Sequence, residues 1–208
     1  LLMLKEKYDP RMSADQIYEM VKKGYREKYQ IEWLKPLGFQ NTYAITLDPE
    51  TYKKLGITKI SELSGKSSQL RFGATAPFYE REDGYNSFTK VYNLQFKSKK
   101  ILDPNILYSA LKQGEIDIIP GFTTDGRIPR FNLKILEDDK KFFPPYYAAP
   151  IINQKTLKEH PELKEIVNQL SGKISEREMA EMNAQVDINK KKPRDVAIQF
   201  LKKKGLIQ

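Results

Sequence analysis

Strand-like and helix-like patterns alternate between residues 31 and 119, and this alternation constrains the fold more than any other feature of the chain. Residues 31–35 alternate apolar and polar until Pro36, which cannot donate to a strand ladder. Residues 41–47 are rich in β-formers. Asp48-Pro49 then opens a turn and a short helix through Tyr52 and Leu55. Residues 70–75 read as a third strand, 76–85 as a loop, and a helix follows through Phe88 and Tyr92. Asp103-Pro104 begins a helix carrying Ile106, Leu107, Ala110 and Leu111. Gly114 ends that helix, and residues 115–119 form another strand. Strands separated by helices in this manner predict an α/β fold with a largely parallel sheet.

Helices flank this region. Ser13 and Gln16 have the spacing of a capping box, in which each side chain satisfies a backbone N–H of the other. Ile17, Met20, Val21 and Tyr25 follow on one helical face. Residues 122–127 read as a polar loop, and 133–136 and 148–152 as strands. Helices are predicted over 154–160, 161–170, 175–185 and 193–204. Pro193 sits in the first turn of the last helix, where its missing N–H costs nothing, and Gly205 caps its end.

Several function classes are removed by what the sequence lacks. The 208 residues contain no cysteine, so disulfides, zinc–thiolate sites and thiol nucleophiles are absent. The one histidine, His160, lies between Glu159 and Pro161 in a surface-helix pattern, a poor setting for catalysis. No glycine belongs to a dinucleotide or phosphate-loop fingerprint. No acid–base pair is singled out by spacing, so the chain is not expected to be an enzyme. No stretch reaches the roughly 18 apolar residues of a membrane span. The apolar run at residues 1–4 passes directly into Lys5, Glu6 and Lys7, unlike a signal peptide.

Thirty-six Lys and Arg against 27 Asp and Glu give a net charge of +9. Such an excess can attract nucleic acid, and a basic nucleic-acid-binding module is the rival reading from another class. The lysines, however, stand mostly beside acids, and the densest runs, 190–192 and 202–204, fit solvated helix faces. No nucleic-acid partner is therefore expected.

Several stretches, in order, resemble the substrate-binding proteins of ABC importers for glycine betaine, carnitine, choline and related quaternary amines. They are residues 31–39 running into 41–44, then 78–85, 114–117 with 122–127, and 136–140 through 142–150. The tail at 202–207 also fits, so the resemblance covers essentially the whole chain. It implies a two-lobed, periplasmic-binding-protein-like (type II) α/β fold, with a mixed sheet and flanking helices in each lobe. Residues 1–40 and 123–208 would form lobe I and 41–122 lobe II, with crossings near Phe39-Gln40 and Thr123. Members of the family carry a further stretch before the point matching Leu1. Lobe I is therefore expected to be incomplete, with exposed sheet edges open to self-association. The resemblance further implies a small quaternary-ammonium ligand, an ABC transporter permease as partner, and no cofactor or metal. It implies an extracytoplasmic location, with membrane attachment through a lipid anchor or fused transmembrane domain outside these residues.

A quaternary ammonium carries a full charge and no N–H donor, so hydrogen bonds cannot hold it. Aromatic faces can, each contact gaining roughly 0.5–2 kcal/mol. On the resemblance, Tyr43 matches a cage tyrosine and Asn41 a polar contact two residues earlier on the same strand face. Phe122 matches a second cage position, often Tyr in relatives. Thr75, Phe78 and Tyr79 follow a strand, at the sheet edge where open α/β sheets place ligands, and Thr123 adjoins the second crossing. For Tyr43 a half-buried strand residue, for Phe122 a core residue and for the loop set simple packing are the competing readings. Glu80, Asp83, Asp125 and Arg127 read chiefly as loop ion pairs. Leu102 and Leu107 stand where relatives often have Tyr and Arg, which brings in another betaine, such as the histidine-derived ergothioneine.

Overall fold

The computed structural model describes residues 1–208, apart from the side chain of Leu2. The chain divides into two compact units, Leu1–Asn41 with Pro144–Gln208, and Thr42–Phe143.

The first unit opens on α1 (Ala14–Tyr29). The capping box forms as its spacing predicts: Gln16 N–H donates to Ser13 Oγ (3.2 Å), and Ser13 N–H to Gln16 Oε1 (2.8 Å). Ile17 and Val21 are buried. Gln30, in the left-handed region, ends the helix and turns the chain into β1 (Ile31–Trp33).

The second unit runs through β2 (Tyr43–Leu47), α2 (Pro49–Leu55), β3 (Arg71–Ala74), α3 (Ala76–Glu80), α4 (Tyr85–Tyr92), β4 (Ser98–Ile101), α5 (Pro104–Lys112), β5 (Ile118–Phe122), α6 (Arg127–Arg130) and β6 (Lys134–Ile135). Asp48 and Asp103 cap α2 and α5 by accepting N–H groups of the first turn. The five-stranded sheet has the order β4-β3-β5-β2-β6. β3 lies parallel to β4 and β5, because the helices between these strands return the chain to the same end. β2 is antiparallel to both its neighbours. The sheet is therefore mixed rather than largely parallel. Apolar alternation is the same whichever way a strand runs, so the strand pattern alone could not signal the reversal, whereas the resemblance implied a mixed sheet. Arg71 and Asp117 form a bidentate pair (2.7 and 2.8 Å) that fixes β3 beside β5.

Both sheet faces are covered. Ile45, Leu47, Phe72 and Ile118 pack with Phe78, Phe88, Tyr92, Leu136 and Phe143 in one cluster. Ile119 packs with Leu107, Leu111, Ile116, Ile128 and Leu133 in the other.

Three expectations are corrected here. Residues 123–143, expected with the first lobe, belong to the second unit: β6 pairs with β2, and Leu136 and Phe143 enter the first cluster. The stretch read as a loop at 76–85 contains α3, started by Pro77 in its first turn. β4 was missed, because Ser-Lys-Lys-Ile at an exposed edge shows no alternation.

The chain then returns to the first unit as β7 (Ile151–Asn153), α7 (Gln154–Glu159), α8 (Glu162–Asn168), α9 (Glu176–Asp187) and α10 (Pro193–Lys203). β7 pairs antiparallel with β1, Trp33 opposite Ile151, as a two-stranded ribbon. Tyr18 and Tyr25 pack edge-on against Trp33 at 6.1 and 5.2 Å. Before the ribbon, residues 37–41 run beside 146–148 through Leu37 N–H to Ala148 O (2.9 Å) and Ala148 N–H to Phe39 O (3.1 Å). Gly38 is required there: its φ is +116°, and a Cβ would lie 2.7 Å from the Ile174 carbonyl oxygen. Among the described residues, no helix is long and apolar enough to cross a membrane, and no group of three or more His, Cys, Asp or Glu could hold a metal ion.

Candidate functional site

The register of β2 against β5 sets Tyr43 directly opposite Phe122. Side chains opposite one another on an antiparallel pair share a face and touch. The two rings accordingly stack, with centroids 4.8 Å apart and planes 26° apart. Behind Tyr43 lie Phe78 of α3, edge-on at 5.1 Å, and Phe143 at 5.4 Å. The result is an aromatic wall graded from core to water. Phe78 is 1% exposed and Phe143 7%, Tyr43 is half-buried, and Phe122 is 41% exposed.

The wall's front edge is held in three ways. Thr123 continues the ladder: its N–H donates to Thr42 O (3.0 Å), and Thr42 N–H donates to its Oγ1 (3.3 Å). Gly121 lets α5 approach β5, since a Cβ there would lie 2.7 Å from Tyr108 Oη. Beyond Thr123, Arg127 grips Asp125 through Nε (2.9 Å) and Nη2 (2.7 Å), donates to Pro104 O (3.1 Å) and stacks 4.1 Å over the Tyr108 ring. Burial, with Asp125 beside it, pushes the Tyr108 phenol up. Asp125 and Arg127 thus fasten a loop, and Arg81 with Asp83 (2.6 Å) does the same after α3.

The back of the wall depends on a carboxylate that sequence reasoning did not single out. Asp138 accepts the N–H groups of Phe142 (2.9 Å) and Phe143 (2.8 Å) together with the Tyr92 hydroxyl. Burial and the Asp138 carboxylate push the Tyr92 phenol up. Phe143 itself was also missed, since nothing in a Phe-Phe pair marks which ring turns toward Tyr43.

The seven candidates do not all converge. Tyr43, Phe78 and Phe122 touch as rings, and Thr123 adjoins them in sequence and ladder. Thr75 precedes α3, half-buried, its carbonyl accepting Phe78 N–H (3.1 Å). Tyr79 turns elsewhere: its ring packs on Phe72 and Tyr85, and its hydroxyl donates to the carbonyls of Phe72 (3.3 Å) and Lys100 (3.2 Å). Burial pushes that phenol up. Asn41 does not share a strand face with Tyr43. It precedes β2, belongs to the first unit, and donates its N–H to Tyr146 O (2.9 Å). Leu107 is 4% exposed in the second cluster, and Leu102 packs against that cluster.

Chemically, the wall offers π-faces and apolar area. Such a surface attracts a cation whose charge is spread over methyl groups.

The chain is similar to several known proteins. The family model OpuAC, the substrate binding domain of ABC-type glycine betaine transport systems, matches residues 3–203. A carnitine transport binding protein of Listeria monocytogenes is 41% identical over 189 residues, 90% of this chain and 61% of that protein. An ergothioneine transport permease/ergothioneine binding protein of Helicobacter pylori is 37% identical, over 91% of this chain and 34% of that protein. The chain thus spans about three fifths or less of these two relatives. The crystal structure of a glycine betaine/carnitine/choline ABC transporter protein superposes with a TM-score of 0.90 and 37% identity, over 98% of this chain and 74% of that one.

Proposed function

Because the chain belongs to the family of substrate-binding domains of ABC-type glycine betaine transport systems, we propose that it captures a small quaternary-ammonium compound and presents it to an ABC importer. The observation that carries this reading is the Tyr43–Phe122 stack with its outer ring open to water. Rings only 4.8 Å apart leave no room between them. The cation therefore lies against the open side of the pair, and Phe78 and Phe143 keep Tyr43 from turning away. Thr123 and Thr75 are the polar contacts nearest the wall in sequence. The role is binding, not catalysis. The partner is the permease of the importer, and the place of work is extracytoplasmic.

Calorimetric titration with glycine betaine, carnitine and choline tests the reading. Saturable binding is expected, with little dependence on salt, since the wall holds the ligand through quadrupole attraction and apolar area. Phe122→Ala is expected to weaken binding on the order of tenfold, the equivalent of one cation–π contact. Its thermal stability should stay near wild type because Phe122 is an exposed residue. Undiminished affinity in Phe122→Ala would remove the wall from the account. Ergothioneine belongs in the same titration. A 37%-identical relative bears that ligand's name. Tighter binding of ergothioneine than of carnitine would move the assignment to a histidine-derived betaine.

A further inference from the structure

The turn at residues 138–143 ends on Phe143, the last residue of the second unit. Its geometry is set by a single carboxylate. Asp138 Oδ1 accepts Phe142 N–H and Oδ2 accepts Phe143 N–H, and Tyr92 donates its hydroxyl to Oδ1. Tyr92 is itself pinned: its oxygen accepts Lys140 N–H (2.9 Å), and the Lys140 ammonium lies 5.2 Å over its ring while donating to Val91 O (2.8 Å). The carboxylate is thus fixed on α4, and two adjacent amides are fixed on the carboxylate. Phe143 is the ring this holds against Tyr43, 5.4 Å away.

We propose that Asp138 is a positioning residue for the ligand-binding wall: by holding the Phe142 and Phe143 amides it sets where Phe143 lies, and through Phe143 the pose of Tyr43. It touches no ligand. The inference rests on the aromatic-wall reading above. An uncharged amide cannot replace the carboxylate, because its one oxygen can serve Phe142 and Tyr92 while its NH2 group faces the Phe143 N–H, donor against donor. Asp138→Asn therefore releases Phe143 selectively. Asp139 supplies the control. It is the next residue, carries the same charge, and accepts Ser61 N–H (3.1 Å) instead of the wall's amides.

The test compares Asp138→Asn, Asp139→Asn and wild type in two readouts. One is calorimetric affinity for choline and glycine betaine. The other is the fluorine spectrum of fluorotyrosine-labelled protein, with the Tyr43 resonance assigned by its loss in Tyr43→Phe. Asp138→Asn is expected to shift the Tyr43 resonance and to weaken binding on the order of tenfold. Asp139→Asn should hold both within about twofold of wild type or unshifted. Wild-type affinity in a folded Asp138→Asn overturns the proposal, and so does an equal loss in Asp139→Asn, which would make the effect one of charge. If wild type binds neither compound, the functional reading fails and the resonance alone decides: a Tyr43 signal unmoved by Asp138→Asn refutes the positioning role, and a moved one supports it. Should Asp138→Asn not fold, Phe143→Leu takes its place. It retains buried apolar volume but loses the ring, and full affinity in that variant rejects the proposal.

Discussion

On the proposed reading, Tyr43 serves stability and recognition in one side chain. Three of its neighbours are rings, and two of those are buried. Removing it therefore opens the core as well as the wall. Tyr43→Ala is expected to lower unfolding stability by about 2–4 kcal/mol in urea titration, so a loss of binding in that variant alone says little. Tyr43→Phe keeps the ring and should keep most of the stability. Gly121 makes a second prediction at this scale. A Cβ there meets Tyr108 Oη at 2.7 Å, so Gly121→Ala should cost about 1–3 kcal/mol by thermal melting. Tyr108→Phe in the same background should recover part of that cost, a non-additivity that marks direct contact. The meeting of Tyr43 and Phe122 was legible through the resemblance that placed both rings together. Phe143 and Asp138 were not, because a positioning role depends on which amide a carboxylate accepts, and no residue type announces that.

Helix starts were the most legible elements. Ser13 with Gln16, Asp48-Pro49 and Asp103-Pro104 each begin a helix where the local chemistry requires one, since caps act over three or four residues and need no tertiary help. β4 and the direction of β2 were illegible for the opposite reason: both are decided by partners far away in sequence. The pair α9 and α10 shows a local signal extended by a distant one. Ser175 and Glu178 cap α9 reciprocally, and Lys204, just past α10, reaches Glu178 at 2.7 Å. Lys204 and the Ser175 cap hold the Glu178 carboxyl down at about 2, below its ordinary 4.5. A depressed folded-state value means that this stabilisation is complete above pH 4.5 and fades as pH falls toward 2. Amide exchange in the first turn of α9 should therefore accelerate across that window. Glu178→Gln should flatten the acid dependence there, and an unchanged profile would discount the Lys204 contact.

At the scale of the molecule, burial is unequal between units of similar length. Twenty-five of the buried apolar residues lie in Thr42–Phe143 and seven in the other unit, among the described residues. Apolar burial is the main force holding a fold together, so the first unit is expected to lose structure at lower urea. Trp33, the single tryptophan, lies in that unit. Its fluorescence transition should precede loss of the near-ultraviolet tyrosine signal from the second unit's aromatic cluster, and coincident transitions would mean that the units melt as one. The two-unit architecture was readable through resemblance, but the return point at Phe143 was not: the strand at 133–136 was legible, while its pairing with β2, which keeps it in the second unit, is decided by a partner far away in sequence. The lysines of β4 carry a different consequence. They occupy adjacent positions on an unpaired border of the sheet, so one ammonium stands on each side of it. A sibling molecule seeking to extend the sheet would bring its own pair within a screening length of these two. Concentrated preparations should accordingly stay dispersed in dilute buffer and begin to cluster only as added salt quiets that repulsion.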